Sequence, residues 1–149
     1  ERVRISMRVE GPTERIGIYA DDGRWVLLGA DEGDEGRLSA RIRAFGRFAL
    51  MKDNMPPTIS GLHPETGSVV DADITFSAEV TDTGAGIGRE EDVVLELDGV
   101  RLVSEYDPEA ERVTASPDQS LEAGAHHLVL TLRDAAGNET VASTDFISR

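Results

Sequence analysis

The sequence has no cysteine, so disulfide bonds and thiolate metal sites are excluded. That absence bears on redox chemistry and not on export, so it leaves the compartment open. No window approaches the ~18 consecutive apolar residues that read as a membrane-spanning helix. No stretch sustains the 3.6-residue period of an amphipathic helix; a short helical turn around Gly88-Arg89-Glu90-Glu91-Asp92 is the most the pattern allows. Lysine is almost missing: Lys52 stands alone beside 14 arginines, a bias that fits either a GC-rich or a salt-adapted source. Positive charge is also scarce in one half. Residues 1–52 carry ten basic side chains against nine acidic ones, whereas residues 53–149 carry five arginines against twenty acids. A split this uneven predicts two modules. The acidic half argues against nucleic acid as a partner, because phosphate binding needs clustered Lys and Arg.

The familiar catalytic sets are missing too. His126 and His127 are adjacent on a predicted strand, so their side chains point to opposite faces and cannot share a metal; His63 stands alone. Serines fall in turns or on outward strand positions, with no nucleophile elbow. No pair of acids is set apart by apolar surroundings that would raise one of them. The chain therefore reads as non-catalytic.

What is present is alternation. Val3, Ile5, Met7 and Val9 alternate with Arg2, Arg4, Ser6 and Arg8, the period of a half-buried strand. Ile16 to Ala20 is a second strand, and Asp21-Asp22-Gly23 turns it into Trp25-Val26-Leu27-Leu28. After the acidic run Asp31-Glu32-Gly33-Asp34-Glu35-Gly36, Leu38, Ala40 and Ile42 alternate with polar residues, and Phe45 to Leu50 closes the region. Five short strands in one small sheet are expected over residues 1–52, either complete or the tail of a larger sandwich. The acidic run lacks the ligand spacing of an EF-hand loop and reads as a solvated hairpin tip. The chain opens from Glu1-Arg2-Val3 directly into a strand, without initiator Met or signal peptide, as expected of a piece of a longer protein.

Residues 53–57, Asp53-Asn54-Met55-Pro56-Pro57, form a linker that two prolines make stiff. From Thr58 to Arg149 the strands recur at short intervals: Thr58 to Leu62, Ile74 to Thr81, Val93 to Asp98, Val100 to Leu102, Val113 to Ala115, Leu128 to Arg133 and Thr140 to Ile147. Asp98-Gly99 marks a hairpin turn. Regular short strands with turn signals between them predict a β-sandwich. The inward face of the last strand stays ambiguous by pattern.

Five segments carry a resemblance: Pro56-Pro57-Thr58-Ile59, Asp82-Thr83-Gly84-Ala85-Gly86-Ile87, Leu97-Asp98-Gly99, Tyr106-Asp107-Pro108 and Asp134-Ala135-Ala136-Gly137-Asn138. In this order they resemble bacterial immunoglobulin-like domains, modules of large surface and secreted proteins. Ile18-Tyr19, Gly23-Arg24-Trp25 and Phe45 to Leu50 resemble the stretch that precedes such domains in some secreted cell-wall metallopeptidases, whose His-x-His zinc motif is absent here. The resemblance implies an all-β chain, an immunoglobulin-like β-sandwich preceded by a small β-sheet module. It implies a monomeric spacer, stalk or docking segment of an extracellular bacterial protein, at the cell surface or in the periplasm, with neighbouring domains or a cell-wall or surface polymer as partners. The alternative is an accessory, substrate-positioning region of a secreted cell-wall or polymer hydrolase whose catalytic domain lies elsewhere.

Two candidate sites follow. In such a sandwich the linker, the turn after the second strand and the last hairpin tip share one end, which brings Asp53, Asp82, Asp134 and Asn138 together. Clustered carboxylates repel unless neutralised, and a hard cation such as calcium takes oxygen ligands at ~2.3–2.6 Å. Calcium stiffens such junctions in some adhesins, which is what the resemblance implies here. The competing reading is that each Asp caps its own turn and binds no ion. The second site is cationic. Arg2, Arg4 and Arg8 share one strand face, and Arg41 and Arg43 another; as neighbours they would form a plaque for carboxylates or phosphates. The competing reading is a solvated face neutralised by nearby acids.

Overall fold

Period-two alternation places apolar side chains on one face of a strand, and strands hide such faces by stacking sheets. The computed structural model, which describes residues 3–33 and 36–149, does this twice. In the first part, β1 (Val3–Arg8), β2 (Ile16–Asp21), β3 (Trp25–Gly29), β4 (Asp31–Gly33), β5 (Arg37–Ile42) and β6 (Phe48–Lys52) form two sheets. One has the order β1-β5-β4 and the other β3-β2-β6. Ile18, Leu38 and Ala40 lie fully buried between them, flanked by Ile5, Met7, Val9, Ile16, Leu28, Phe48 and Leu50.

This corrects the expectation of five strands in one sheet. The chain leaves β3 through Gly29-Ala30 and enters the opposite sheet, so the acidic run starts as strand β4, paired to β5 through Asp31 opposite Ser39. An exposed, wholly polar strand has no periodicity to betray it; its order comes from the backbone groups of β5. Asp34 and Glu35, the rest of the expected hairpin tip, lie outside the described residues.

In the second part, β7 (Thr58–His63), β8 (Val69–Val70), β9 (Phe76–Thr81), β10 (Val93–Leu97), β11 (Val100–Arg101), β12 (Ser104–Asp107), β13 (Arg112–Ala115), β14 (Gly124–Arg133) and β15 (Glu139–Ser148) form the larger sandwich. A four-stranded sheet, β12-β13-β9-β7, faces a five-stranded one, β11-β10-β14-β15-β8. Their inner faces supply one core, including Phe76, Val80, Leu95, Leu128, Leu130, Leu132 and Phe146. Each such side chain, fully buried, contributes about 1.5–3 kcal/mol. The rings of Phe76 and Phe146 meet at 5.9 Å. Pairing of β15 with β14 over ten residues resolves its ambiguous face: Ala142, Thr144 and Phe146 turn inward, and Thr144 meets Thr66 through a hydroxyl pair at 3.2 Å. The expected helical turn is a single 3-10 turn, Glu90–Asp92.

Topology decides what gathers at each end. Strand β7 starts opposite the end of β9, Thr58 against Thr81, and Arg133 and Glu139 face each other where β14 gives way to β15. Segments 53–57, 82–87 and 134–138 therefore share one end. The linker is fastened there: Asp53 N–H donates to the Arg15 carbonyl at 2.9 Å, Pro57 is fully buried, and Thr140 Oγ1 donates to the Pro57 carbonyl.

Candidate metal centre

Each acid at this end first shapes its own turn. Asp134 Oδ1 accepts from the N–H groups of Ala136 at 2.9 Å and Asn138 at 2.7 Å. The turn closes through Gly137, whose φ of +90° suits a residue without Cβ. Asp82 accepts from the N–H groups of Gly84 and Gly86. Asp53 accepts from Met55 N–H at 2.9 Å through Oδ1 and from Ala85 N–H at 2.6 Å through Oδ2. That last bond joins the linker to the turn after β9. It is possible because residue 84 is glycine: a Cβ there would collide with the Asp53 carboxylate.

The capped turns then converge. One carboxylate oxygen from each of Asp53, Asp82 and Asp134 lies within 4.8 Å of the other two. Asp53 and Asp134 are buried and Asp82 is half-buried. Asn138, also buried, is a strut: its Nδ2 donates to Asp134 Oδ2 at 2.6 Å and to the Asp53 carbonyl at 3.2 Å. Among the described residues no Arg, Lys or His forms an ion pair with any of the three acids. Burial first, and then the charges of Asp134 and Asp53, hold the Asp82 carboxyl above its ordinary range, although two backbone N–H groups pull it down. Turn capping and carboxylate clustering, set against each other as readings of the sequence, occur together.

Tyr19 lies within electrostatic reach of these acids and was not among the sequence candidates. Strand β2 is apolar on both faces. Ile18 enters the small core, and Tyr19, on the other face, is 3% exposed. Burial, and then the charges of Asp53, Asp134 and Asp82, push its phenol up to about 12. The signal available in the sequence was Ile16-Gly17-Ile18-Tyr19, a run without polar alternation, which marks a strand covered on both sides.

The three donors are carboxylates, hard oxygen ligands of the kind calcium and magnesium take. The histidines lie elsewhere. His126 sits at the far end, with Nδ1 at 2.7 Å from Asp98 Oδ2 and Nε2 at 2.9 Å from the Glu122 carbonyl. Both neighbours only accept, so the ring satisfies both bonds when it is doubly protonated. The hydrogen bond to Asp98, then that to Glu122, raises the His126 pKa, against the effect of burial. Burial alone would raise Asp98, but its bonds from His126 and His127 hold it below the ordinary carboxylate range. His127 turns outward to Asp145 at 2.7 Å.

Of the arginines, β1 and β5 pair so that Arg4 stands opposite Arg41. Arg8 stands opposite Arg37, which by alternation shares the strand face of Ser39 and Arg41. Arg43 lies just beyond β5, and Arg2 lies outside the described residues.

No protein-family model matches the sequence, and no curated protein matches it significantly. Solved structures share the fold. The endo-β-1,4-mannanase from Thermotoga petrophila matches with a TM-score of 0.52 and 14% identity, over 65% of this chain and 20% of that one; the match thus spans about a fifth of that enzyme. PcoC, a methionine-rich copper resistance protein from Escherichia coli, matches with a TM-score of 0.50 and 10% identity, over 64% of this chain and all of PcoC. Among the described residues, no helix is long and apolar enough to cross a membrane.

Proposed function

We propose that this chain is a non-catalytic structural module of an extracellular bacterial protein, an immunoglobulin-like sandwich held to a smaller β-module by a calcium ion at their junction. The observation that carries the reading is three converging carboxylates, two of them buried, with no cationic side chain paired to them among the described residues. Buried charges are paired or coordinate metals, and among the described residues these have hydrogen-bond donors but no cationic partner. The ion would be held by Asp53 of the linker, Asp82 after β9 and Asp134 after β14. It would supply positive charge where the two parts meet and so lock their relative orientation. Asn138 and Gly84 position the ligands. The strand order supports the immunoglobulin-like assignment: the first, second, fifth and fourth principal strands share one sheet, and the third, sixth and seventh the other. The donor set speaks against Cu(I), since thioether and thiolate sulfur select that ion and the cluster holds neither.

The experiment is calorimetric titration of the chelated protein with calcium, combined with 15N relaxation. One ion should bind per chain, and residues 3–52 and 58–149 should tumble as one body with calcium and more independently in chelator. Binding that survives Asp53→Asn and Asp134→Asn together, or tumbling indifferent to calcium, refutes the proposal.

A further inference from the structure

The outer face of the β1-β5-β4 sheet is electrostatically unfavourable as built. Arg4 faces Arg41 and Arg8 faces Arg37 across the strand pair, and like charges directly opposite destabilise a sheet. All four residues are exposed. Arg4 pairs with Asp31 at 2.5 Å, and Arg37 lies down on Ser6, donating to its hydroxyl at 3.0 Å and its carbonyl at 3.3 Å. Arg8 and Arg41 form no ion pair among the described residues. Acids outnumber bases 29 to 15 in this chain, so the repulsion does not reflect a shortage of carboxylates. The two arginine pairs stand ~14 Å apart along the strands, four residues at ~3.4 Å each.

The basic strip runs into a cleft. Arg41 and Arg43 border a cavity of about 780 Å³ whose apolar lining includes Val26, Leu27, Ile42 and Phe45. Phe45 is 86% exposed. The cleft also holds Asp21, which Arg47 pairs, and Asp22. We propose that strip and cleft together form a docking surface for an anionic polysaccharide of the polyuronate type. The partner carries its charges at intervals along a line, matching arginine pairs that repeat along the strands; guanidinium forks take its carboxylates. Between the charges it presents flat C–H ring faces, which suit Phe45 and the apolar cleft. Polyphosphate offers the charge without the rings. Duplex nucleic acid packs one phosphate per ~1.7 Å, a density that the chain's net charge of -14 opposes.

The test is binding of the whole chain to polygalacturonate in chelator, which removes any contribution from the calcium site and keeps the two proposals separable. Fully methyl-esterified polygalacturonate and polyphosphate of similar length serve as comparisons. Polygalacturonate should bind at low salt, weaken steeply as salt rises, and bind about tenfold better than either comparison polymer, a difference of ~1.4 kcal/mol. Arg8→Gln with Arg41→Gln should weaken binding about tenfold or more, while the melting temperature holds or rises, because like-charge repulsion has been removed. Phe45→Ala should weaken polygalacturonate and leave polyphosphate unchanged. No binding of polygalacturonate, binding untouched by the double substitution, or equal binding of polyphosphate with no effect of Phe45→Ala would each overturn the proposal.

Discussion

Where β14 begins, the carboxylate of Asp98 meets the ring of His126 and the backbone N–H of His127. Where β14 stops, Asp134 meets Asp53 and Asp82, with backbone and Asn138 donors and, among the described residues, no cationic side chain. Both ends use an acid to fasten a turn to a strand, yet only one balances its charge from within the chain. An internally paired end is complete in any buffer, subject to pH. An end that gathers carboxylates alone leaves its charge to be balanced from solution, and the proposed calcium ion would do so. On that proposal the difference separates a closing clasp from a junction whose rigidity would follow the calcium concentration.

The largest effect expected on this contrast is at Asp134. Asp134→Ala leaves the N–H groups of Ala136 and Asn138 and the Asn138 amide without their acceptor, at a cost of about 2–4 kcal/mol, read as a drop in the urea midpoint in chelator as well as in calcium. A loss confined to calcium-containing buffer would show that the turn does not need its cap.

Asp82→Asn should have a smaller effect whose size depends on the buffer. In chelator the substitution removes a repelled, partly desolvated charge but leaves one of the Gly84 and Gly86 N–H groups without its acceptor oxygen, so the two changes oppose and stability should shift little. In calcium at a hundredfold over its dissociation constant, wild type should gain about 2.7 kcal/mol that the variant lacks. The gap between the two proteins' denaturation curves should therefore open in calcium and narrow in chelator. Parallel curves would mean that Asp82 carries no ion-dependent energy.

At the far end the control is protons. The raised His126 pKa contributes stability that is fully present below about 6.5 and lost as pH rises through the folded-state value. The lowered Asp98 pKa contributes stability present above about 3.8 and lost as pH falls through its own folded value. Melting temperature followed across this range should show both flanks, and His126→Gln should flatten the upper one. An NMR titration placing His126 at or below 6.5 would remove the imidazolium clasp.

Much of this was legible in the residues, for reasons that also mark the limit. Strands β9 and β10 carry strict alternation and lie within two residues of the expected bounds, whereas β14 starts at Gly124, four residues before the alternation of Leu128, Leu130 and Leu132 announces it. Strands β8 and β12 were missed, one being two valines and the other Ser104-Glu105-Tyr106-Asp107 with a single apolar side chain; both take their order from neighbouring strands. Asp53, Asp82 and Asp134 stood out because each follows a strand in turn-forming company, and a sandwich topology carries such turns to a shared end. The run Ile16-Gly17-Ile18-Tyr19 marks a strand covered on both sides, but nothing in it says that the acids Asp53, Asp82 and Asp134 lie near Tyr19, because that is a tertiary fact. That Arg8 meets Arg37 could not be read, because the β1–β5 register is a tertiary fact. The division of the first region into two sheets turns on Gly29-Ala30, two residues without any pattern.

The account rests most directly on whether calcium completes the junction, and thermal melting of the whole chain addresses it. With calcium raised from chelated to millimolar levels, the melting temperature should climb with occupancy, and the climb should vanish in Asp82→Asn with Asp134→Asn while the His126-dependent pH flank persists. A melting temperature indifferent to calcium, or a climb retained by the double variant, would contradict it.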